Sequence, residues 1–233
     1  MNVFTFWEGP KPAYIDLCMR TWKGPYTVLN YDNLHEYTDL PLKRIKRFTL
    51  PQISDIVRVH VLRDQGGRWI DADTILLADE WPDTDFVGTP EQRGISCAFL
   101  RTEPHTDMFK RWAKHQDDII NGPDTPTFWA TFANQFPEPY LREHPEIRIS
   151  PIKNYWPETY MVRESMPRYE KYWKFYFERE HYLSDIHPTD LLMLHNSWTP
   201  EWYKELSAST VLGQHCTLSN ILRELIKGGN HDN

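Results

Sequence analysis

Between Ser54 and Asp73 the sequence runs Ser54-Asp55-Ile56-Val57-Arg58, then Gly66-Gly67-Arg68-Trp69-Ile70-Asp71-Ala72-Asp73, and this stretch restricts the fold more than any other. Ile53, Ile56, Val57, His60 and Val61 recur at offsets of three and four, which puts them on one face of a helix. Gly66 and Gly67 can end that helix, because glycine accepts the backbone angles a helix C-terminus needs. Trp69-Ile70 then reads as a strand with Asp71 at its end. A helix turning through two glycines into a short apolar strand is a unit of an α/β sheet, whose ligands bind at strand carboxyl ends.

The rest of the first half alternates in the same way. Residues 3–7 read as a strand ended by Glu8-Gly9-Pro10, and Ile15, Cys18, Met19 and Trp22 lie at helical spacing. Residues 26–29, 86–88 and 95–100 are further strands, and helices are predicted around 108–119 and 128–136. From 137 to 167 the chain is punctuated by proline, which predicts loops around a short strand near 147–149. Tyr169, Tyr172, Trp173, Tyr176 and Phe177 form an aromatic stripe on one helix, interspersed with Arg168, Lys171, Lys174 and Arg179. Residues 191–194 predict a strand ending at His195, and a last helix around 218–226 stops at Gly228-Gly229. The expected fold class is α/β, a single domain over residues 1–233 with a mixed central sheet flanked by helices and no internal repeat.

Composition narrows the function. The 233 residues, 40% hydrophobic, can bury a sizeable core. Against 33 Asp plus Glu stand 26 Lys plus Arg, and a net charge of −7 argues against a nucleic-acid binder, which needs a basic face. The opening MNVFTFWEGPKP lacks a basic segment followed by an apolar run, and no later stretch reaches about 18 apolar residues, so a cytoplasmic chain is expected. Cys18, Cys97 and Cys216 are odd in number and far apart, which suits free thiols serving as small core residues. The ten histidines show no H-E-x-x-H and no Cys/His zinc spacing.

Asp71 and Asp73 carry the sharpest chemistry. At a strand end both carboxylates can project into a crevice, where hard oxygen ligands suit Mg²⁺ or Mn²⁺ and the metal can meet a diphosphate. A second D-x-D, Asp83-Thr84-Asp85, lies in a polar, proline-flanked stretch with no strand ahead of it and is expected to be silent. Asp55 and Arg58 are three apart and share a helix face, so Arg58 can fork onto a phosphate or sugar oxygen; an intrahelical ion pair on a solvated surface is the plainer alternative.

Taken together, S-D-x-x-R, G-G and the D-x-D strand resemble the sugar-binding region of glycosyltransferase family 32 and the related capsular polysaccharide synthesis proteins. The opening Phe6-Trp7-Glu8-Gly9-Pro10 is similar to their first strand and loop, and His195-Asn196-Ser197-Trp198 to their C-terminal His and Ser-Trp element. The resemblance implies a GT-A, Rossmann-like nucleotide-binding domain, with residues 1–80 as the donor-nucleotide half and 81–233 as the acceptor side and closing segment. It implies a divalent metal, Mn²⁺ or Mg²⁺, a nucleotide-sugar donor, UDP-sugar ahead of GDP-sugar, and hexose transfer with retained anomeric configuration to a glycan or lipid-linked glycan. Carried over by position, Asp73 would bind the metal, Asp71 the ribose or sugar and the metal, and Asp55 and Arg58 the donor sugar. Trp7 would line the base pocket, His195 would contact the metal or diphosphate, and Ser197 and Trp198 would close over the phosphates.

Two rival classes fit parts of the pattern. Asp71-Ala72-Asp73-Thr74-Ile75 matches the D-x-D-x-T strand of haloacid-dehalogenase-like phosphohydrolases, in which the first Asp attacks phosphorus, but the later acidic pair that chemistry needs is missing. A non-catalytic sugar-binding domain is the other, with the tryptophans as stacking surfaces. Lys43, Arg44, Lys46 and Arg47 suit a solvated loop, with attraction to anionic lipid headgroups or to a charged acceptor as the minority reading. The 169–177 stripe is expected to pack in the core, and peripheral membrane contact through that helix is its alternative.

Overall fold

The computed structural model describes residues 1–89, 94–123, 125–128, 130–151, 167–186 and 189–228. In chain order its elements are β1 (Val3–Phe6), α1 (Ala13–Arg20), β2 (Thr27–Leu29), α2 (Leu42–Ile45), α3 (Leu50–Gln65), β3 (Gly67–Ile70), β4 (Thr74–Leu76), β5 (Phe86–Thr89), β6 (Gly94–Thr102), α4 (Asp107–Asn121), α5 (Pro137–Glu143), β7 (Ile149–Pro151), α6 (Arg168–Tyr176), β8 (Leu191–Met193), α7 (Glu201–Lys204), α8 (Ala208–Gly213) and α9 (Thr217–Gly228). They make two compact units between which the chain passes repeatedly. The first takes the described residues within 1–9, 25–71 and 83–152, the second those within 10–24, 72–82 and 153–233.

The first unit is built on a six-stranded mixed sheet in the order β2-β1-β3-β6-β5-β7. Strands β2, β1 and β3 run parallel, β6 is antiparallel to β3 and to β5, and β7 lies parallel to β5. Helix α3 packs on β1, β3 and β6, α5 packs on β6, and α4 packs against both α3 and α5. This is the mixed α/β architecture the alternation of strand and helix signals had led us to expect. Helix α3 begins where Thr49 caps it, its backbone N–H donating to Gln52 Oε1 at 3.1 Å, and Pro51 sits where no helical N–H is needed. It ends at Gly66, and Gly67 follows with φ +98°. A Cβ on Gly67 would lie 2.6 Å from the carbonyl oxygen of Asn2, the residue just before β1, so the helix-to-strand reversal requires glycine there. Ile53, Ile56, Val57 and Val61 are buried, as their spacing implied.

In the second unit β4 pairs antiparallel with β8, Thr74 opposite Met193. Helix α1 packs on β4 and on α8 and α9. On α6, Tyr172, Phe175 and Tyr176 are buried with the following Phe177, while Tyr169 and Trp173 are exposed, so the stripe is mainly core. Cys18, Cys97 and Cys216 are buried free thiols. Among the described residues, no helix is long and apolar enough to cross a membrane.

Three sequence expectations require correction or restriction. Of the stretch 128–136, the described residues, all but 129, make turns instead of a helix, with the Thr131 hydroxyl donating to Phe128 O (2.8 Å) and Asn134 Nδ2 to Ile95 O (2.6 Å), where local side-chain bonding gives the backbone an alternative to a helix. The helix begins at Pro137, inside the stretch expected to be loop, because proline suits a first helical turn. The remainder of that loop, 152–166, and Gly229 lie outside the described residues. The basic cluster is partly occupied by α4: Arg47 Nη2 donates to Gly122 O (2.9 Å) and Ile119 O (3.1 Å), and Arg44 to the Asn121 side chain. A guanidinium on the last carbonyls of a helix satisfies acceptors that have no intrahelical donor.

Candidate active site

Asp55 and Arg58 occupy one face of α3, and β3 ends at Ile70 immediately before Asp71. Because β3 pairs with β6, the Asp71 backbone N–H donates to Ala98 O at 2.9 Å, which brings the Cys97 carbonyl into the same neighbourhood. Arg58 joins them all. Its Nη2 lies 3.0 Å from Asp55 Oδ1 and 3.1 Å from Asp71 Oδ1, and its Nη1 donates to Cys97 O at 2.6 Å. Trp69 Nε1 donates to the same Asp71 oxygen (2.8 Å), and the guanidinium carbon stands 5.4 Å from the Trp69 ring centre. Buried Arg58 Nε has no hydrogen-bond partner among the described residues.

The side chains of Arg58, Asp55 and Asp71 are 6%, 13% and 29% exposed, so the cluster opens to solvent through Asp71. Burial pushes the Asp55 carboxyl up to about 7; Arg58 pulls it down and Asp71 adds to the rise. Burial disfavours the Arg58 charge as well, but the Asp71 and Asp55 carboxylates outweigh it and hold the guanidinium protonated. One cation thus serves two carboxyls. The surface ion pair offered as the plainer reading of Asp55 and Arg58 is instead a buried triad. Asp71, with one oxygen committed to two donors, is poorly arranged as the free nucleophile that a phosphohydrolase needs.

Trp7 follows β1, the parallel neighbour of β3, so Trp7 and Asp71 leave adjacent strands at the same carboxyl end. The Trp7 N–H donates to Leu29 O at 2.9 Å, and its side chain is half-buried. Asp83 and Asp85 belong to ion pairs of the sheet's other end. Asp83 pairs with Arg101 and with Arg148 (3.1 Å), whose hydrogen bonds hold its carboxyl down to about 2, and Asp85 pairs with Arg148 at 3.5 Å.

In the second unit Asp73 precedes β4 and His195 closely follows β8. Pairing of the two strands sets Leu194 N–H on Asp73 O (3.2 Å) and Asn196 N–H on Asp73 Oδ2 (2.8 Å). Residues 196–198 form a single 3₁₀ turn in which the Trp198 N–H returns to His195 O (2.9 Å). The His195 ring lies against Trp198 with centroids 4.2 Å apart, and Ser197 is exposed. Beneath the turn sit three buried hydroxyl groups. Tyr14 donates to Asn196 Oδ1 (2.6 Å), Thr199 Oγ1 lies 3.3 Å from both the Tyr14 and Tyr172 hydroxyls, and Tyr172 accepts the His195 N–H (3.3 Å). Among the described residues, no three His, Cys, Asp or Glu side chains gather as a ready-made cation site.

Sequence reasoning found Asp55, Arg58, Asp71, Asp73, His195, Ser197 and Trp198 but gave no role to Trp69 Nε1, the Cys97 carbonyl, Tyr14, Tyr172 or Asn196. Asn196 stands inside the motif already singled out. Tyr14, 182 residues away, left no local signal.

The family model described as capsular polysaccharide synthesis protein matches residues 2–193. No curated protein matches the chain. Among solved structures, it is similar to a PaToxG glycosyltransferase at 14% identity and a TM-score of 0.44, over 62% of this chain and 68% of that one.

Proposed function

The chain belongs to the capsular polysaccharide synthesis protein family, and from that premise we propose that it is a glycosyltransferase moving a hexose from a nucleoside-diphosphate sugar to a glycan or lipid-linked glycan. The observation that carries the proposal is the Asp55–Arg58–Asp71 triad at the end of β3. Burying a guanidinium between two carboxyls is a poor way to gain stability, since desolvation offsets much of the attraction. Strongly perturbed groups at a strand carboxyl end are characteristic of a ligand site.

In this reading Asp71, the most exposed member, accepts hydrogen bonds from donor hydroxyls. Arg58 holds it in place, and Asp55 fixes Arg58 from the other side. Trp7 stacks on the base. Asp73 offers oxygen to a divalent cation, Mn²⁺ or Mg²⁺. The donor set fits such an ion: a hard carboxylate whose other ligands would be diphosphate oxygens and water, with His195 close by in the chain turn that also holds Asp73. When bound, the cation supplies charge neutralisation for the departing diphosphate. Ser197 and Trp198 close over the phosphates. The transfer is proposed to retain configuration, with the acceptor entering on the face the diphosphate leaves and passing its proton to a diphosphate oxygen. The protein's task is then positioning and exclusion of water.

The test is isothermal titration of the folded protein with UDP, GDP and their common sugar conjugates, in MnCl₂ and then in EDTA. Metal-dependent binding of one nucleotide is expected. Absence of binding by all of them overturns the proposal.

A further inference from the structure

Asn196 is held by both of its ends in a way that leaves one group to spare. Its backbone N–H donates to Asp73 Oδ2 at 2.8 Å, and its side-chain Oδ1 accepts the Tyr14 hydroxyl at 2.6 Å. Tyr14 is fully buried on α1, and its hydroxyl is also 3.3 Å from Thr199 Oγ1, which donates to His195 O at 3.2 Å. The phenol therefore decides which way round the Asn196 amide stands: the oxygen faces inward and the NH₂ outward. Asn196 is half-exposed, and among the described residues its Nδ2 donates to none. An amide whose acceptor is satisfied from the core and whose two donors face outward, one residue from an exposed serine and anchored to a carboxylate, is arranged to receive an oxygen-rich ligand.

We propose that the Asn196 side-chain amide binds a phosphate oxygen of the nucleoside diphosphate, and that Tyr14 is the positioning residue that orients it. This rests on the donor-binding reading above. A neutral N–H donor suits that place because Asp73 lies beside it. A lysine or arginine there would pair with the carboxylate and compete for the oxygen that a cation needs, whereas an amide can contact phosphate and leave Asp73 available. The Asn196 N–H to Asp73 bond sets the spacing of the two groups, so one ligand oxygen-bearing group can meet both.

The decisive variant is Asn196→Asp, which keeps the oxygen that Tyr14 binds and the backbone N–H that Asp73 accepts but replaces the outward NH₂ by an anionic oxygen. Tyr14→Phe removes the orienting hydroxyl and keeps the ring. UDP and GDP are titrated into wild type and both variants, in MnCl₂ and in EDTA, with UMP as the probe lacking the second phosphate. Thermal melts establish that each variant is folded. The expected result is diphosphate affinity lowered at least about tenfold in Asn196→Asp in MnCl₂, and lowered likewise in the weaker binding that remains in EDTA, with a smaller loss for UMP. Tyr14→Phe is expected to weaken the diphosphate by about three- to tenfold, and to add nothing when combined with Asn196→Asp. Side-chain amide resonances of Asn196, assigned by their loss in the aspartate variant, should move in Tyr14→Phe without ligand and in wild type on adding UDP or GDP. Wild-type affinity in a folded Asn196→Asp, or fully additive losses in the double variant, overturns this inference and leaves the donor-binding reading standing. Failure of wild type itself to bind any of the nucleotides overturns both. Should Asn196→Asp not fold, Asn196→Ser and the amide resonances decide the matter in its place.

Discussion

Arg58 on α3 and Asp71 at the end of β3 meet through an Nη2–Oδ1 contact of 3.1 Å, although 13 residues and a glycine reversal separate them. That contact makes the helix and the strand one piece at the candidate site. The same nitrogen reaches Asp55, so removing the guanidinium strands two carboxyls at once. Arg58→Ala is expected to lower stability by about 3–5 kcal/mol, as loss of one partner from a buried ion pair does. Arg58→Lys keeps the charge and loses the fork that also reaches Cys97 O, and should cost less in stability but nearly as much in donor affinity. Urea unfolding and nucleotide titration check the two readouts separately.

The protonation of Asp55 gives a pH signature with a definite sign. Its folded carboxyl titrates near 7, its unfolded one near 3.8, so the folded state holds the proton over the window between them. Its contribution to stability is therefore present below about 4 and is lost as pH rises through about 7. His60, buried on the same helix and held down to about 3 by burial, acts in the opposite direction, losing stability as pH falls below 6.5. Comparison of wild type with Asp55→Asn isolates the first effect. The difference in unfolding free energy should tilt toward the asparagine variant as pH rises from 4 to 8, and a flat difference would contradict the assignment.

The two D-x-D pairs should behave differently. Asp73→Asn is expected to abolish the metal dependence of nucleotide binding while the protein stays folded, since Asn196 N–H can still donate to the amide oxygen. Asp83→Asn alters exposed ion pairs with Arg101 and Arg148 and should leave nucleotide binding unchanged. Equal losses in the two variants would show that the wrong pair had been assigned. Titration in MnCl₂ and EDTA is the measurement.

Much of this was legible because it is local. Asp55 and Arg58 are three apart on an apolar-faced helix, Gly66-Gly67 announces the reversal, and Trp69-Ile70 announces a strand, so the approach of Asp71 to that helix follows from short-range signals. What was not legible depends on distant pairing. The Cys97 carbonyl joins the site only because β6 runs antiparallel to β3, a register no motif encodes. Tyr14, Thr199 and Asp73 meet around Asn196 from three separate segments of the chain. The apolar spacing of Phe128, Phe132 and Phe136 imitated a helix, but the described residues of that stretch form turns, with the Thr131 hydroxyl on Phe128 O and the Asn134 amide on Ile95 O of β6. Periodicity says which residues want burial, and here it misjudged the backbone that buries them.

The glycine reversal offers the most direct test that fold and site are one construction. Gly67 has φ +98°, and a Cβ there would stand 2.6 Å from the Asn2 carbonyl oxygen, a backbone atom at the entry to β1 that cannot turn aside as a side chain could. Gly67→Ala should therefore cost about 1–3 kcal/mol, from strain at positive φ and from displacement of β1 against β3. Gly213 is the natural control: a Cβ there meets nothing within 4 Å, its φ is ordinary, and it lies in α8. Gly213→Ala should be neutral or stabilising by up to about 1 kcal/mol. Because Asp71 follows β3 directly, any shift of that strand moves the carboxylate off Arg58, so Gly67→Ala should weaken nucleotide binding even at temperatures where it is fully folded. Urea midpoints measure the first effect and titration well below the melting temperature the second. Affinity unchanged in a destabilised Gly67→Ala would separate the reversal from the site and leave Arg58 alone to hold Asp71 in place.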